Sequence, residues 1–358
     1  MSLIEHLQTI RDFRTQPEYP LWVVLLLVVM GTMSGCTGYR PLADFVARHQ
    51  TELLSLLDLP RQRLPSLSTL RRIMVRVNFE SFTQAFNAWA QERFVPAPGE
   101  HLATDGKSIK ASVRDYDQAY QDFVSVVSAF SVAQGVVVSL APMRNHQTSE
   151  IKTVEVLLET LQLQGVCFSL DALHTQKTVA QIIHSGNDYL ITVKGNQPKL
   201  LEPLQTQFEQ VPAQSVDTQT EQTRDRQTQR TVSVLDQVAD LDPQWVGVQR
   251  LVRVERVGTR ANRPWTETMF YISSLTLDAA GFAQRIRQHW HIENRLHWVK
   301  DVVLKEDCTP LCDGNAPVNF AIVRTMALNL FRQHGFDSIT QGLRRLAHDI
   351  PTLFSFFR

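Results

Sequence analysis

The chain has 358 residues, with 36 Lys and Arg against 36 Asp and Glu, 43% hydrophobic residues and 20% charged. Those proportions exclude a disordered chain, which would hold fewer apolar residues and one dominant charge, and a collagen-like or disulfide-framework protein, which would show periodic Gly or dense Cys. Taken as a whole-chain average, the zero net charge also argues against a partner as acidic as nucleic acid.

At roughly 100 to 200 residues per domain, the length predicts two or three structural units. Residues 1–95 read as helices. Apolar residues recur at helical spacing in Leu42, Phe45, Val46 and in Leu53, Leu54, Leu56, Leu57, and Pro20, Pro41, Pro60 and Pro65 punctuate the segments. The uncharged stretch Tyr19 to Tyr39 resembles a membrane span, but its wholly apolar part, Leu21 to Met30, is half the ~20 residues that spanning requires. Glu5, Asp12 and Glu18 precede it where a secretory signal would be basic, so the segment reads as a buried helix and the protein as cytoplasmic. Further on, Ser66 and its neighbouring hydroxyls are placed to cap a helix that carries Arg71, Arg72 and Arg76. Between Leu59 and Phe79 every charged residue is an arginine, which makes this region a candidate DNA-binding patch.

Pro-Ala-Pro-Gly-Glu at 96–100 reads as a linker, after which the periodicity changes. A first strand leads into Asp105-Gly-Lys107. Phe123–Phe130 and Gly135–Leu140 are β-branched runs joined as a hairpin, Ser149–Leu163 is helical, Gly165–Asp171 is a short buried strand, Thr175–His184 a helix and Asp188–Lys194 a strand. That succession predicts an α/β core with a mixed sheet. A polar Gln/Thr-rich stretch, Gln214–Gln229, and three runs of strand composition interrupt it, and long helical signals return over Ala280–Val303 and Ala316–His334. The expected domains are therefore a helical N-terminal domain over 1–95, a catalytic core over 96–204 and 276–358, and a β-rich insertion over 205–275. Cys36, Cys167, Cys308 and Cys312 are too few and too scattered for a disulfide scaffold or a structural zinc site.

Asp105 and Asp171 each sit at the carboxyl end of an apolar strand, where a carboxylate is costly to desolvate without a cation or hydrogen-bond donors. Two of them in one sheet suggest a shared oxygen-loving divalent ion; each alone could instead cap the turn that follows it. The third element is His289-Trp-His-Ile-Glu-Asn-Arg-Leu-His-Trp-Val-Lys-Asp301. On a helix, Glu293, His297 and Lys300 share one face, able to complete a metal site and contact phosphate. The usual His-Glu-x-x-His spacing of zinc helices is absent.

Together, Asp105-Gly-Lys107, Ser169-Leu-Asp-Ala-Leu-His-Thr-Gln176, Asp188-Tyr-Leu-Ile-Thr-Val-Lys-Gly-Asn-Gln197, His289–Trp298, Lys305-Glu-Asp307 and Gly314–Leu330 resemble the bacterial insertion-sequence DDE transposases of the H-repeat-associated (ISAs-type) family. The likeness runs over almost the whole chain, since Tyr19-Pro-Leu21 and Ser68-Thr-Leu-Arg-Arg72 resemble that family's N-terminal associated region. The resemblance implies a ribonuclease-H-like catalytic core, an inserted β subdomain and a helical N-terminal domain. It implies that Asp105, Asp171 and Glu293 hold two Mg²⁺ ions, with Mn²⁺ able to substitute, and that the partner is double-stranded DNA at terminal inverted repeats and targets. It also implies a homodimer on DNA, nucleoid-associated in a bacterial cytoplasm. In the wider superfamily the Glu helix carries Tyr, Arg and Lys at fixed intervals; here Lys300 fits, while His289 stands at the Arg position and Ile286 at the Tyr position. Lys107, Lys194 and Lys300 are candidates for phosphate contact, Asn196, Gln197 and His297 for DNA near the cleavage point, and Arg253 and Arg256 for DNA within a basic run from Arg250 to Arg263. The alternative readings are a DNA-binding remnant that no longer cuts, or a host nuclease on the same fold.

Overall fold

The computed structural model describes residues 1–59, 61–112, 123–144, 147–174, 176–223, 226–238, 241–260 and 263–358. Pro60, Thr175 and residues 224 and 225 of the Gln/Thr-rich stretch, each part of an expectation above, lie outside the described residues, as does the side chain of Arg260.

In chain order the elements are α1 (Leu3–Gln8), α2 (Leu21–Met33), α3 (Tyr39–Arg48), α4 (Gln50–Leu57), α5 (Leu67–Arg76), α6 (Phe79–Arg93), β1 (His101–Ser108), β2 (Val124–Ser131), β3 (Val136–Arg144), α7 (Glu150–Leu161), β4 (Cys167–Leu170), α8 (Gln176–His184), β5 (Asp188–Val193) and α9 (Pro198–Gln210). Then follow β6 (Ser215–Thr223), β7 (Arg226–Leu235), β8 (Arg250–Arg260), β9 (Arg263–Ser273), α10 (Ala279–His289), α11 (Ala316–Gln333), α12 (Ile339–Leu346) and α13 (Ile350–Ser355). A strand, an antiparallel hairpin, then two helix-preceded strands, with β1, β4 and β5 parallel, is the ribonuclease-H-like order expected of the core.

The described residues divide into two compact units. One comprises Met1–Val95, Gly106–Thr153 and Ile292–Arg358. Within it α2 is buried from Val23 to Met33, because an all-apolar helix can only be stable enclosed by others. No helix among the described residues is long and apolar enough to cross a membrane. Every residue of α11 from Ala316 to Phe331 is also buried, with α2, α5 and α6 packed around it. Amides cross that packing: Asn319 donates to the carbonyls of Met74 and Val77, Asn329 makes a two-way bond with Val137 of β3, and Asn87 of α6 does the same with Leu140. Ser66 does occupy the position before α5, but its hydroxyl turns to Ser68 and Thr69 rather than to a backbone N–H, so it does not cap the helix as expected.

The other unit comprises Pro96–Asp105 and Val154–His291. Its strands order as β1-β4-β5-β9-β8-β7-β6. The inserted β segment is present as four antiparallel strands, β6 to β9, continuous with the core strands because β9 pairs with β5 from Val193–Phe270 to Leu190–Ser273. Helix α9 reaches into the segment expected to be β, to Gln210. Helix α10 covers one sheet face, packing Ala279, Phe282, Ala283 and Ile286 on Cys167, Leu190, Val232, Val252, Val254 and Tyr271.

The single helix expected over Ala280–Val303 is not continuous. Helix α10 ends at His289, and beyond it Glu293–His297 and Val299–Val303 wind as π turns, with the N–H of Trp298 bonded to the Glu293 carbonyl and that of Leu304 to Val299. The wider winding rotates later side chains off the stripe that a 3.6-residue period predicts.

Candidate active site

Side chains alternate along a strand, so His101, Ala103 and Asp105 share one face of β1, and Cys167, Ser169 and Asp171 share one face of β4 and its end. The parallel register sets Ala103 beside Ser169. Leu190, Thr192 and Lys194 continue that face on β5, and Met269 and Tyr271 on β9. Asp105, Ser169, Asp171 and the residues named on β5 and β9, with Ile286, His289 and Trp290, line a cavity of about 140 Å³. The fold thus places both strand-end carboxylates in one half-buried cavity, within the second unit.

Asp171 is well provided for. Its Oδ1 accepts from the N–H of Ala172 at 2.7 Å and lies 2.9 Å from the Lys194 ammonium. Burial pushes its carboxyl up, but Lys194 and the Ala172 N–H outweigh burial and hold it below the ordinary carboxylate value. Asn196 and Gln197, expected at DNA, brace the turn that follows Asp171, donating to the carbonyls of Ala172 and His174 at 2.8 Å each. At the cavity wall Tyr271 is pushed up to about 12 by burial and stays protonated. Trp290, half exposed, edges the cavity.

A buried polar chain that sequence reasoning missed ends at this cavity. His101 Nε2 lies 2.7 Å from Ser169 Oγ, and the same oxygen lies 2.7 Å from His289 Nδ1. His101 Nδ1 lies 3.5 Å from Gln288 Oε1. Period-2 alternation in β1 and β4 was the available signal, since it puts His101 and Ser169 on the face of the two aspartates.

The first unit carries Glu293. On its π turn the Glu293 carboxylate is about half exposed and 3.1 Å from His297 Nδ1, and His297 holds it below its ordinary value. Lys300, expected on the same face, is turned inward instead: its side chain is 3% exposed and ion-paired with the fully buried Glu306 at 3.3 Å. Burial pushes Glu306 up, yet Lys300, Arg324 and Lys107 together hold it below its ordinary value. Lys107 is enclosed too, 2.8 Å from Asp301, 3.5 Å from Glu306 and 3.4 Å from Asp307. The Lys305-Glu-Asp307 string therefore supplies carboxylates to a buried ion cluster whose cations include Lys107, Lys300 and Arg324.

A family model for the transposase DDE domain matches residues 96–330, and one described as DDE_Tnp_1-associated matches residues 4–90. The chain belongs to the DDE transposase family. It is 30% identical to the "H repeat-associated putative transposase YhhI" of Escherichia coli K12, over 96% of this chain and 93% of that protein. It is also 30% identical to the "Putative transposase YncI" of Escherichia coli O157:H7, over 92% and 87%. Among solved structures it is similar to the piggyBac transposase in a synaptic complex with hairpin DNA, at 12% identity and a TM-score of 0.46, over 99% of this chain and 78% of that one.

The arginines expected at DNA in this family member are spread over both units. Arg71, Arg72 and Arg76 are exposed on α5; Arg71 pairs with Asp313, and Arg76 lies over the Phe13 ring at 5.5 Å. In the β segment Arg253 pairs with Glu255 and lies over Phe208, and Arg256 pairs with Glu267.

Proposed function

We propose that the protein is a transposase that binds the ends of its own insertion element and cuts and rejoins DNA there, with Asp105, Asp171 and Glu293 as its metal-holding carboxylates. The observation that carries this reading is the convergence of Asp105 and Asp171, from adjacent parallel strands, on one cavity beside a lysine and a histidine. The donor set fits Mg²⁺, a hard cation that takes carboxylate oxygens, and Asp171 already holds a cation, the Lys194 ammonium. Glu293 is assigned as the third carboxylate through the family resemblance. Two bound ions would supply Lewis-acid chemistry, activating water and stabilising the departing 3′ oxygen.

The chain's own residues do the rest. A water oxygen bonds to phosphorus as the bond to the 3′ oxygen breaks, leaving a 3′ hydroxyl and a 5′ phosphate, and that hydroxyl then attacks target DNA in the same way. Such chemistry needs positioning and charge more than covalent help, so a nucleophilic Ser or Cys is not required. Lys194 at the cavity rim is placed to exchange Asp171 for a phosphate oxygen. We place the protein in a bacterial cytoplasm, acting as a dimer that pairs two ends.

The test is incubation of the full chain with Mg²⁺ and duplex DNA carrying the element's terminal repeats. Nicking at the repeat boundary is expected, reduced at least about 100-fold by Asp105→Asn, Asp171→Asn or Glu293→Gln, a loss on the scale of removing one electrostatic stabiliser. Binding without nicking by the unaltered protein would refute the enzymatic reading, and full nicking by the three variants would refute the assignment of residues.

A further inference from the structure

Alternation along the strands of the β segment divides its arginines between two sheet faces. Arg253 and Glu255 lie on one face of β8 and β7 and pair with each other, with the Arg253 guanidinium over the Phe208 ring. Arg256 lies on the other face, which α10 covers and which carries Met269 and Tyr271 at the cavity wall. The register sets one row across all four strands: Glu267 of β9, Arg256 of β8, Arg230 of β7 and Gln219 of β6. Two residues along β9 from Met269, that row lies about 7 Å beyond the cavity wall. Arg287 of α10 reaches the same row, donating to Gln219 Oε1 at 2.9 Å and pairing with Glu221.

Among the described residues, three guanidiniums share two carboxylates here. Arg230 lies 3.7 Å from Glu221, which Arg287 also takes, and Arg256 lies 3.2 Å from Glu267. Asp217, one row away on β6, is committed to the Gln219 amide at 2.8 Å. Both glutamates are about half exposed, whereas the Arg230 and Arg256 side chains are 17% exposed. Nε and Nη1 of Arg230 and Nε of Arg256 are buried and meet no hydrogen-bond acceptor among the described residues. Burial, with Arg256 and Arg287 alongside, pushes Arg230 below its ordinary value. Buried N–H groups left without acceptors beside like charges are unfavourable, and an anion with several oxygens would satisfy them.

We propose that Arg230, Arg256 and Arg287 form a phosphate site that holds the DNA backbone about two nucleotides from the bond cut at Asp105 and Asp171. The site deepens the reading of that cavity as a DNA-cutting centre and rests on it, because about 7 Å corresponds to about two steps along one DNA strand. A phosphodiester carries two unbridged oxygens, which are acceptors for the unpartnered N–H groups of Arg230 and Arg256. Glu221 and Glu267 are stand-ins: an exposed carboxylate holds a guanidinium weakly in water, so both can swing to solvent as the phosphate enters. Arg253, on the opposite face, takes no part.

The experiment reads binding without Mg²⁺, so that it does not depend on nicking. The full chain is titrated against duplex DNA carrying the terminal repeat and its boundary, over a range of salt. Arg230→Gln and Arg256→Gln should each weaken binding by about 10-fold, and the double variant should lower the log–log salt slope by about 1, as one phosphate is no longer neutralised. Glu267→Gln should tighten binding because it frees Arg256, whereas Glu255→Gln, the same loss of charge on the opposite face, should not. Ion pairs with a purely structural role predict otherwise, with Glu267→Gln lowering thermal stability and leaving affinity as it was. Replacing each phosphate within about three nucleotides of the boundary by a neutral methylphosphonate locates the contact. One replacement should weaken binding by the unaltered chain and have no effect on the double variant.

Unchanged affinity and slope in the arginine variants, or equal effects of Glu267→Gln and Glu255→Gln, would overturn the proposal. If Arg230→Gln does not fold, Glu267→Gln still decides, since it leaves every guanidinium in place. The expected binding losses with no nicking by the unaltered chain in Mg²⁺ would refute the DNA-cutting reading and leave the phosphate site standing. Failure of the unaltered chain to bind terminal-repeat DNA would overturn both.

Discussion

Acidification should destabilise the protein well before its carboxylates titrate, because two histidines are buried in the neutral form. Burial lowers His101 from 6.5 to about 3 and His174 from 6.5 to about 4. Their folded pKa values lie below the unfolded ones, so the stability they contribute is fully present above pH 6.5 and is lost as the pH falls toward 4 and 3. In that window the unfolded chain binds two protons that the native state refuses. From pH 7 to pH 5 each histidine accounts for about 2 kcal/mol, hence about 4 kcal/mol together, at 1.36 kcal/mol per unit of pH once the unfolded ring is protonated. That is a large part of the 5 to 15 kcal/mol typical of a folded protein. Depressed carboxylates such as Asp171 and Glu306 act in the same direction only below about pH 4.5, so the window isolates the histidines. The assay is urea unfolding followed by tryptophan fluorescence at pH 7, 6 and 5, on the unaltered chain and on His174→Gln, which should lose about half the slope. Equal stability at pH 7 and pH 5 would refute the argument, because it would mean that both rings accept protons in place.

Two further outcomes follow from the packing. Glu306→Ala leaves Lys300 and Arg324 buried without their carboxylate, which should cost about 3 to 5 kcal/mol and lower the melting temperature by about 10 °C, measured by calorimetry. Ser66→Ala should change stability by less than about 0.5 kcal/mol because its hydroxyl caps nothing, whereas Asn78→Ala, which removes the 2.8 Å bond to the Ser81 N–H, should cost about 1 kcal/mol by urea titration.

The sequence was most legible where a local period decides the structure. Runs of apolar residues marked α2, the hairpin, β4 and β5 as buried, and the length and β-branched content of each run separated the helix from the strands. Asp105 and Asp171 were found from the same logic, a carboxylate at the end of a buried strand. The features that were not legible depend on backbone departures or on distant partners. A π turn has no propensity signature, so nothing in residues 293–303 announced that Lys300 would leave the Glu293 face. Glu306 reads as a surface acid until α11 brings Arg324 against it from 18 residues further on. Asn196 and Gln197 follow a strand and read as loop residues offered to a ligand, while their amides are committed to the backbone of the Asp171 turn. In each case a side chain's role was fixed by what lay across the fold, which local sequence does not record.

The same distinction decides which cations can meet DNA. A whole-chain charge of zero is a sum, and pairing determines which members can change partner. Lys107 and Lys300 are enclosed with carboxylates at 9% and 3% side-chain exposure, so transferring them to phosphate would strand buried acids at a cost that phosphate binding does not repay. Arg71 is bound to Asp313, but both are about half exposed, and such a pair is worth no more than about 1 kcal/mol, so a phosphate can replace Asp313. Arg72 and Arg76 stand exposed on the same helix. Titrating binding of terminal-repeat DNA against salt should therefore give a log–log slope that falls by about 1 for each of Arg72→Ala and Arg76→Ala, the value expected when one phosphate is no longer neutralised. Lys300→Met should leave that slope unchanged while lowering thermal stability. A slope unaffected by both arginine variants would place the DNA outside the reach of α5, and a slope reduced by Lys300→Met would show that the buried ion cluster opens when DNA binds.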